Sequence, residues 1–415
     1  MLSPLELISV LLALTALFGW LNERFLKLPE TIGVLVMGLA ASLLLLGAEY
    51  VFHQVALFGN VAQIVRQIDF REAVLDGMLA FLLFAGALHV DFSALRDRAW
   101  VVAAMASIGV VLSTLLVGTG FWLLGQWLGT PLPFVWALVF GALISPTDPV
   151  AVLATLKSVQ VPASLEADMS GESLFNDGIG VVVFTIVLTI ATGEGHGAAG
   201  FSGAAHLLAL EAFGGGAIGL AGGYLAFLAM RSIDNYSLEV LISLALVAGL
   251  YALASRLGMS GPIAVVVAGL FVGNRGPQRA MSDLTQRYLF GFWTLTDEIL
   301  NAVLFLLIGL EVLVLRLDPS LGFLPFLAIP VVLLARFVSV ATPLALLSRW
   351  YGFVRGTLAT LTWGGLKGGI SVALALSIPE GEHKSMILAA TYTVVVFTII
   401  VQGLTLRRLV QRVVL

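Results

Sequence analysis

Apolar runs of about 17 residues or more recur from one end of this 415-residue chain to the other. Each is long enough to cross the hydrocarbon core of a bilayer as a helix. Composition agrees: 59% of residues are hydrophobic and only 11% charged. A soluble chain of this size carries about twice that share of charge. The fold class expected is an all-α polytopic membrane protein lying in the lipid bilayer. The 44 glycines fit, because small residues let membrane helices approach closely. With no cysteine, disulfides, thiolate metal sites and thiol catalysis are excluded.

Length and hydropathy predict about 13 spans, at 5–21, 30–46, 73–90, 99–124, 134–156, 165–192, 204–230, 236–254, 259–275, 291–315, 322–347, 355–377 and 384–406. Residues 47–72 and 276–290 read as more polar connections. The first run lacks a basic leader and a small-residue cleavage site, so it reads as a retained helix. Alternate loops divide the basic residues unequally. One set holds five (Arg66, Arg71, Arg256, Arg316, Lys384), the other fourteen, and Arg336 and Lys367 fall inside spans. That asymmetry places the N-terminus outside and the C-terminus in the cytoplasm. The chain ends soon after its last apolar run, so a single transmembrane domain over 1–415 is expected, without a soluble regulatory domain.

Two spans are interrupted. The fifth contains LISPTDPVAV, residues 143–152, where Pro146 and Pro149 each remove a backbone donor and flank Asp148. The twelfth contains WGGLKGGIS, residues 363–371, where Gly364, Gly365, Gly368 and Gly369 surround Lys367. Broken helices leave free backbone groups that membranes tolerate only against protein or water. An offset of seven spans implies opposite orientation. Residues 5–192 and 236–406 would then be inverted repeats, with 204–230 as linker. Such paired interruptions point to a transporter site. Kinks and glycine packing also occur in channels, receptors and membrane enzymes, so the interruptions alone leave those classes open.

Asp148, Glu172, Asp177, Arg336 and Lys367 put five ionisable groups near mid-membrane on four spans. Each costs roughly 2.5–3.5 kcal/mol to insert, so they must pair or face a wet cavity. The bland reading is a set of structural ion pairs. Glu172/Asn176 and Ser173/Asp177 are i,i+4 pairs, which puts all four on one stripe of the sixth span. The stripe offers oxygen ligands and an amide, suited to hard cations such as Na⁺. No histidine pair has metal spacing, which points away from a transition-metal site. GGGAIG at 214–219 matches a nucleotide-loop pattern formally, but with no strand before it the reading is helix packing.

SPTDPVAV at 145–152, ESLFNDG at 172–178, GPIAVVVAGLFVGN at 261–274, FLLIGLEV at 305–312 and WGGLKGGISVALALSIP at 363–379 resemble the sodium/proton antiporters of the NhaP and NHE type. The resemblance implies thirteen helices in two inverted six-helix repeats, two crossing discontinuous helices, a homodimer, and cation/proton exchange by alternating access. It assigns Asp177 as the carboxylate that takes proton and cation in turn. Ser173 and the backbone at Thr147 and Asp148 become cation ligands, Asp148 through water, and Asn176 organises the site. Glu172 would pair with Arg336. Lys367 stands where relatives carry arginine, and Ala85 where many carry a glutamate. The second departure bears on the choice between Na⁺ and K⁺.

One titrating site suggests electroneutral exchange of one proton per Na⁺ across the cell (inner) membrane. Li⁺ is a further candidate substrate, and no cofactor, enzyme activity or nucleic-acid partner is expected. The alternatives are K⁺/H⁺ exchange or a cation channel.

Overall fold

Polar caps and glycines set where each apolar run starts and stops being helical. The computed structural model describes residues 3–51, 70, 72–148, 152–153, 156, 159–193, 201–313 and 322–414. Among them there are helices and no strand.

Helix α1 (Pro4–Leu21) begins at a capping box, with Ser3 and Glu6 satisfying each other's backbone N–H. It is followed by α2 (Glu30–Val51), then by a π segment over Glu72–Met78 that leads into α3 (Leu79–Leu88). Asp91 caps the short α4 (Phe92–Asp97) by accepting from the Ser93 N–H at 2.8 Å. Helices α5 (Ala99–Ala104) and α6 (Val110–Leu128) join through a π turn into one 30-residue span. Exposed Trp100 and Trp127 stand at its two ends. The helical rise separates them by about 40 Å, the thickness of a bilayer with its headgroups, where tryptophan concentrates.

Helix α7 (Phe134–Ile144) is short, and α8 (Ala163–Thr192) runs 30 residues to Gly193, whose φ of 72° ends it. Next come α9 (Phe201–Arg231), α10 (Tyr236–Arg256) and α11 (Gly261–Arg279). Helix α12 (Asp283–Glu311) is followed by α13 (Leu324–Leu347). Helices α14 (Thr357–Trp363) and α15 (Gly369–Leu376) are the halves of one interrupted span. Helix α16 (Lys384–Phe397) passes through a π turn at Thr398–Gln402 into α17 (Gly403–Val413).

Nine helices among the described residues are long and apolar enough to cross a membrane. The other four predicted spans overlap the shorter apolar helices Ala73–Leu88 and Phe134–Ile144, α11, and the broken pair α14/α15. One connection is corrected. Residues 276–290 read as a polar link, but α11 continues to Arg279 and α12 begins at Asp283. The Ser282 hydroxyl accepts from the Thr285 N–H, so a polar cap extends α12 beyond its apolar run.

Close approach replaces hydrophobic collapse as the packing force in lipid. Gly215, Gly219 and Gly223 of α9 face Ser260, Ala264 and Ala268, where an added methyl would strike the neighbouring backbone. The GGGAIG pattern is therefore a helix contact. Helix α12 runs between the two largest apolar clusters. Phe305 and Ile308 pack with α7, α13 and α16 on one side, Leu289 and Trp293 with α3, α10 and α11 on the other. The Trp293 indole N–H donates to Ser243 at 2.9 Å.

Candidate cation-binding site

Helix α7 stops at Ser145, and Pro146 to Asp148 continue without helical hydrogen bonds. Pro149 lies outside the described residues. The second break, Gly364–Gly368, crosses the first. The Asp148 N–H donates to the Leu366 carbonyl at 2.8 Å, which ties one break to the other. Gly368 lies so close to the Asp148 carboxylate that any side chain there would collide with it. Gly365 meets the Arg336 guanidinium in the same way.

Side chains take up several of the carbonyls freed by the two breaks. Lys367 Nζ donates to Ser145 O at 3.1 Å and Pro146 O at 3.2 Å, placing a positive charge at the negative end of α7. Two separate carbonyls call for a compact, rotatable donor, so lysine suits this position although it lacks the planar fork of arginine. At the end of α14, Arg336 covers Leu361 O at 2.9 Å and Gln402 covers Trp363 O at 3.1 Å. The Lys367 N–H donates to Thr398 Oγ1 at 3.1 Å, at the start of the π turn. This is the accounting that hydrocarbon demands of a broken helix.

Helix α8 grips the first break with the predicted stripe. Asn176 Nδ2 donates to Thr147 Oγ1 at 2.8 Å, and the Thr147 N–H reaches Asn176 Oδ1 at 3.4 Å. The Ser173 hydroxyl donates to the Thr147 carbonyl. One turn earlier, Glu172 and Arg336 pair bidentately, with Nη2 to Oε2 at 2.9 Å. Both are buried.

Asp177 sits differently. It borders a cavity of about 400 Å³ together with Pro146, Thr147, Asp148, Ala85 and Ser371. Its carboxylate takes no hydrogen bond from another described residue. Ser173 and Asn176 are absent from that wall; they stand behind Thr147 and hold it. Ala85 is on the wall, and contributes a methyl there. Gly369, the last glycine of the motif, packs on Leu304 and also borders the cavity. Among the described residues no three His, Asp or Glu side chains gather as a metal cluster.

Sequence reasoning missed the far wall. Thr294, Asp297, Glu298 and Asn301 of α12 line the cavity. Their spacing of three, four and seven is a polar stripe on an apolar helix, a signal present in the sequence. It also missed a second buried ion pair. Arg98, assigned to a loop, binds Asp168 at 2.5 and 2.7 Å and lies over the rings of Tyr351 and Phe353.

Residues 11–412 match the family described as sodium/hydrogen exchanger, transmembrane. The Na(+)/H(+) antiporter NhaP of Pseudomonas aeruginosa is 46% identical over 99% of this chain and 97% of its own length. The Na(+)/H(+) antiporter NhaH of Halobacillus dabanensis is 34% identical, covering 94% of this chain and 93% of its own. The solved sodium proton antiporter MjNhaP1 of Methanocaldococcus jannaschii superposes with a TM-score of 0.76 over 99% of both chains, at 21% identity. Its likeness shows the same fold, and the match over nearly the whole length makes this chain a member of the transmembrane sodium/hydrogen exchanger family.

Proposed function

We propose that this protein exchanges Na⁺ for H⁺ across the cell membrane, with Asp177 carrying either the proton or the cation. The observation that supports this best is the position of Asp177. It borders a cavity beside Thr147 and Asp148 where two broken helices cross, while Glu172, Arg336 and Lys367 are engaged with protein groups. The names of the relatives point the same way.

The chemistry follows from one carboxylate. To bind a cation it must first lose its proton, and to regain the proton it must release the cation. Exchange is then obligatory without a separate coupling device. Oxygens of Thr147 and Asp148 would complete part of the shell for a hard monovalent ion. Ser173 and Asn176 hold Thr147 in place, and Glu172–Arg336 with Lys367 keep both breaks neutralised. One titrating site gives one proton per cation and no net charge movement.

In this reading the chain makes thirteen spans as two inverted repeats, 5–192 and 236–406, around the 204–230 linker. The breaks in the fifth and twelfth spans occupy matching places. The basic-residue asymmetry supports an external N-terminus and a cytoplasmic C-terminus in the inner membrane, and the family resemblance supports a homodimer.

The test is proton efflux from proteoliposomes on adding Na⁺, Li⁺ or K⁺, with wild type beside Asp177→Asn. A Na⁺-evoked pH change that the variant lacks is expected, unaltered when the membrane potential is clamped. A response to K⁺ alone would reassign the cation. No response in folded wild type would end the antiport reading.

A further inference from the structure

Among the side chains bordering the cavity, one oxygen stands out. Ser371, in the first turn of α15, is 1% exposed, and its hydroxyl has no hydrogen-bond partner among the described residues. A helical serine ordinarily settles its hydroxyl on the carbonyl of the preceding turn. Ser9, Ser107, Ser145 and Ser170 do so here. For Ser371 that carbonyl would be Lys367 or Gly368, inside the break, where the backbone has left the helical path. The break therefore deprives Ser371 of its usual acceptor while leaving it on the cavity wall with Thr147, Asp148 and Asp177. Ala85 of α3, on the same cavity, contributes a methyl and no oxygen.

We infer that Ser371 is a cation ligand, the oxygen that the second broken helix adds to those of the first, and that it helps set which alkali cation is accepted. This deepens the exchange reading and rests on it. A hard alkali cation coordinates neutral hydroxyl oxygens readily, and a small cavity selects by ligand number and spacing. With Ser371 included, the donors come from both interrupted helices, so a bound ion would bridge them. A ligand shared between two elements is sensitive to their relative movement, which is what alternating access requires.

The experiment measures the dependence of exchange on Na⁺, Li⁺ and K⁺ concentration in proteoliposomes for wild type, Ser371→Ala, Ser371→Thr and Asp177→Asn. Losing one neutral ligand should raise the Na⁺ KM roughly tenfold, with a smaller change in turnover. The ranking of Na⁺ against Li⁺ should shift, and Ser371→Thr, which keeps the hydroxyl, should recover most of the affinity. A role in packing alone would lower turnover or stability and leave the cation ranking untouched, and that result overturns the assignment. So does an unchanged Na⁺ KM. If Ser371→Ala does not fold, Ser371→Cys keeps the volume with a soft sulfur and must raise the Na⁺ KM in the same way. Exchange in Asp177→Asn equal to wild type would sink the antiport reading itself, whereas a Ser371 failure with Asp177→Asn dead sinks only the ligand.

Discussion

Glu172 and Asp177 leave the same helix five residues apart, and both are buried, at 3% and 7% exposure. Glu172 is held by the two forks of Arg336, which is itself fixed on the Leu361 carbonyl. Asp177 borders a cavity and takes no hydrogen bond from a described residue. The difference teaches that what a buried carboxylate can do depends on its partners more than on its depth. A bidentate guanidinium satisfies a carboxylate and removes any reason for it to bind something else. A carboxylate left facing a cavity needs a proton or a cation.

The largest effect that could break this comparison is on Asp177. Asp177→Asn should abolish exchange and leave the thermal midpoint of the purified protein near wild type, because no protein partner loses a bond. Glu172→Gln should do the reverse in kind. It leaves the Arg336 charge buried without its counter-ion, a loss of about 3–5 kcal/mol. A lowered melting midpoint in detergent, partly regained in Glu172→Gln/Arg336→Met, would show that the pair is structural. Equal loss of transport in Glu172→Gln at unchanged stability would erase the distinction.

A smaller effect concerns pH. If proton and Na⁺ compete for one carboxylate, the Na⁺ KM should rise by about tenfold per pH unit on the acid side of its titration and level off on the alkaline side. The saturated rate should change less. A KM flat across pH would argue for separate proton and cation sites. The smallest effect lies outside the membrane, at Asp91. Hydrogen bonds from the Ser93 hydroxyl and N–H hold its carboxyl below the usual range. A lowered folded value means the cap contributes above the unfolded pKa near 3.9 and is lost as pH falls through the folded value. Asp91→Ala should cost about 0.5–1 kcal/mol at neutral pH, with exchange intact. A larger loss would mean that α4 holds more of the fold than its length suggests.

Much of the architecture was legible beforehand. Apolar run length located the helices, because hydrocarbon leaves a spanning segment few other ways to satisfy its backbone. Pro146 and the glycines at 364–369 located both breaks, because their constraints act within the chain. The i,i+4 spacing of 172, 173, 176 and 177 put those side chains on one stripe. The start of α12 was misplaced because a capping serine extends a helix regardless of hydropathy.

What the sequence by itself determined, then, is everything that follows from local rules: helices, breaks, and residues sharing a helix face. Which neighbour each face meets was decided only in three dimensions. The stripe on α8 divides, with Ser173 and Asn176 holding Thr147 and Asp177 on the cavity. Arg98 and Asp168 meet across 70 positions of sequence. Asp297 and Asn301 reach the cavity from α12, and Ser371 from α15. The physical reason is that lipid is as apolar as most of these helix surfaces. Hydropathy therefore says little about which side faces protein, and close packing of small residues and paired charges makes that choice.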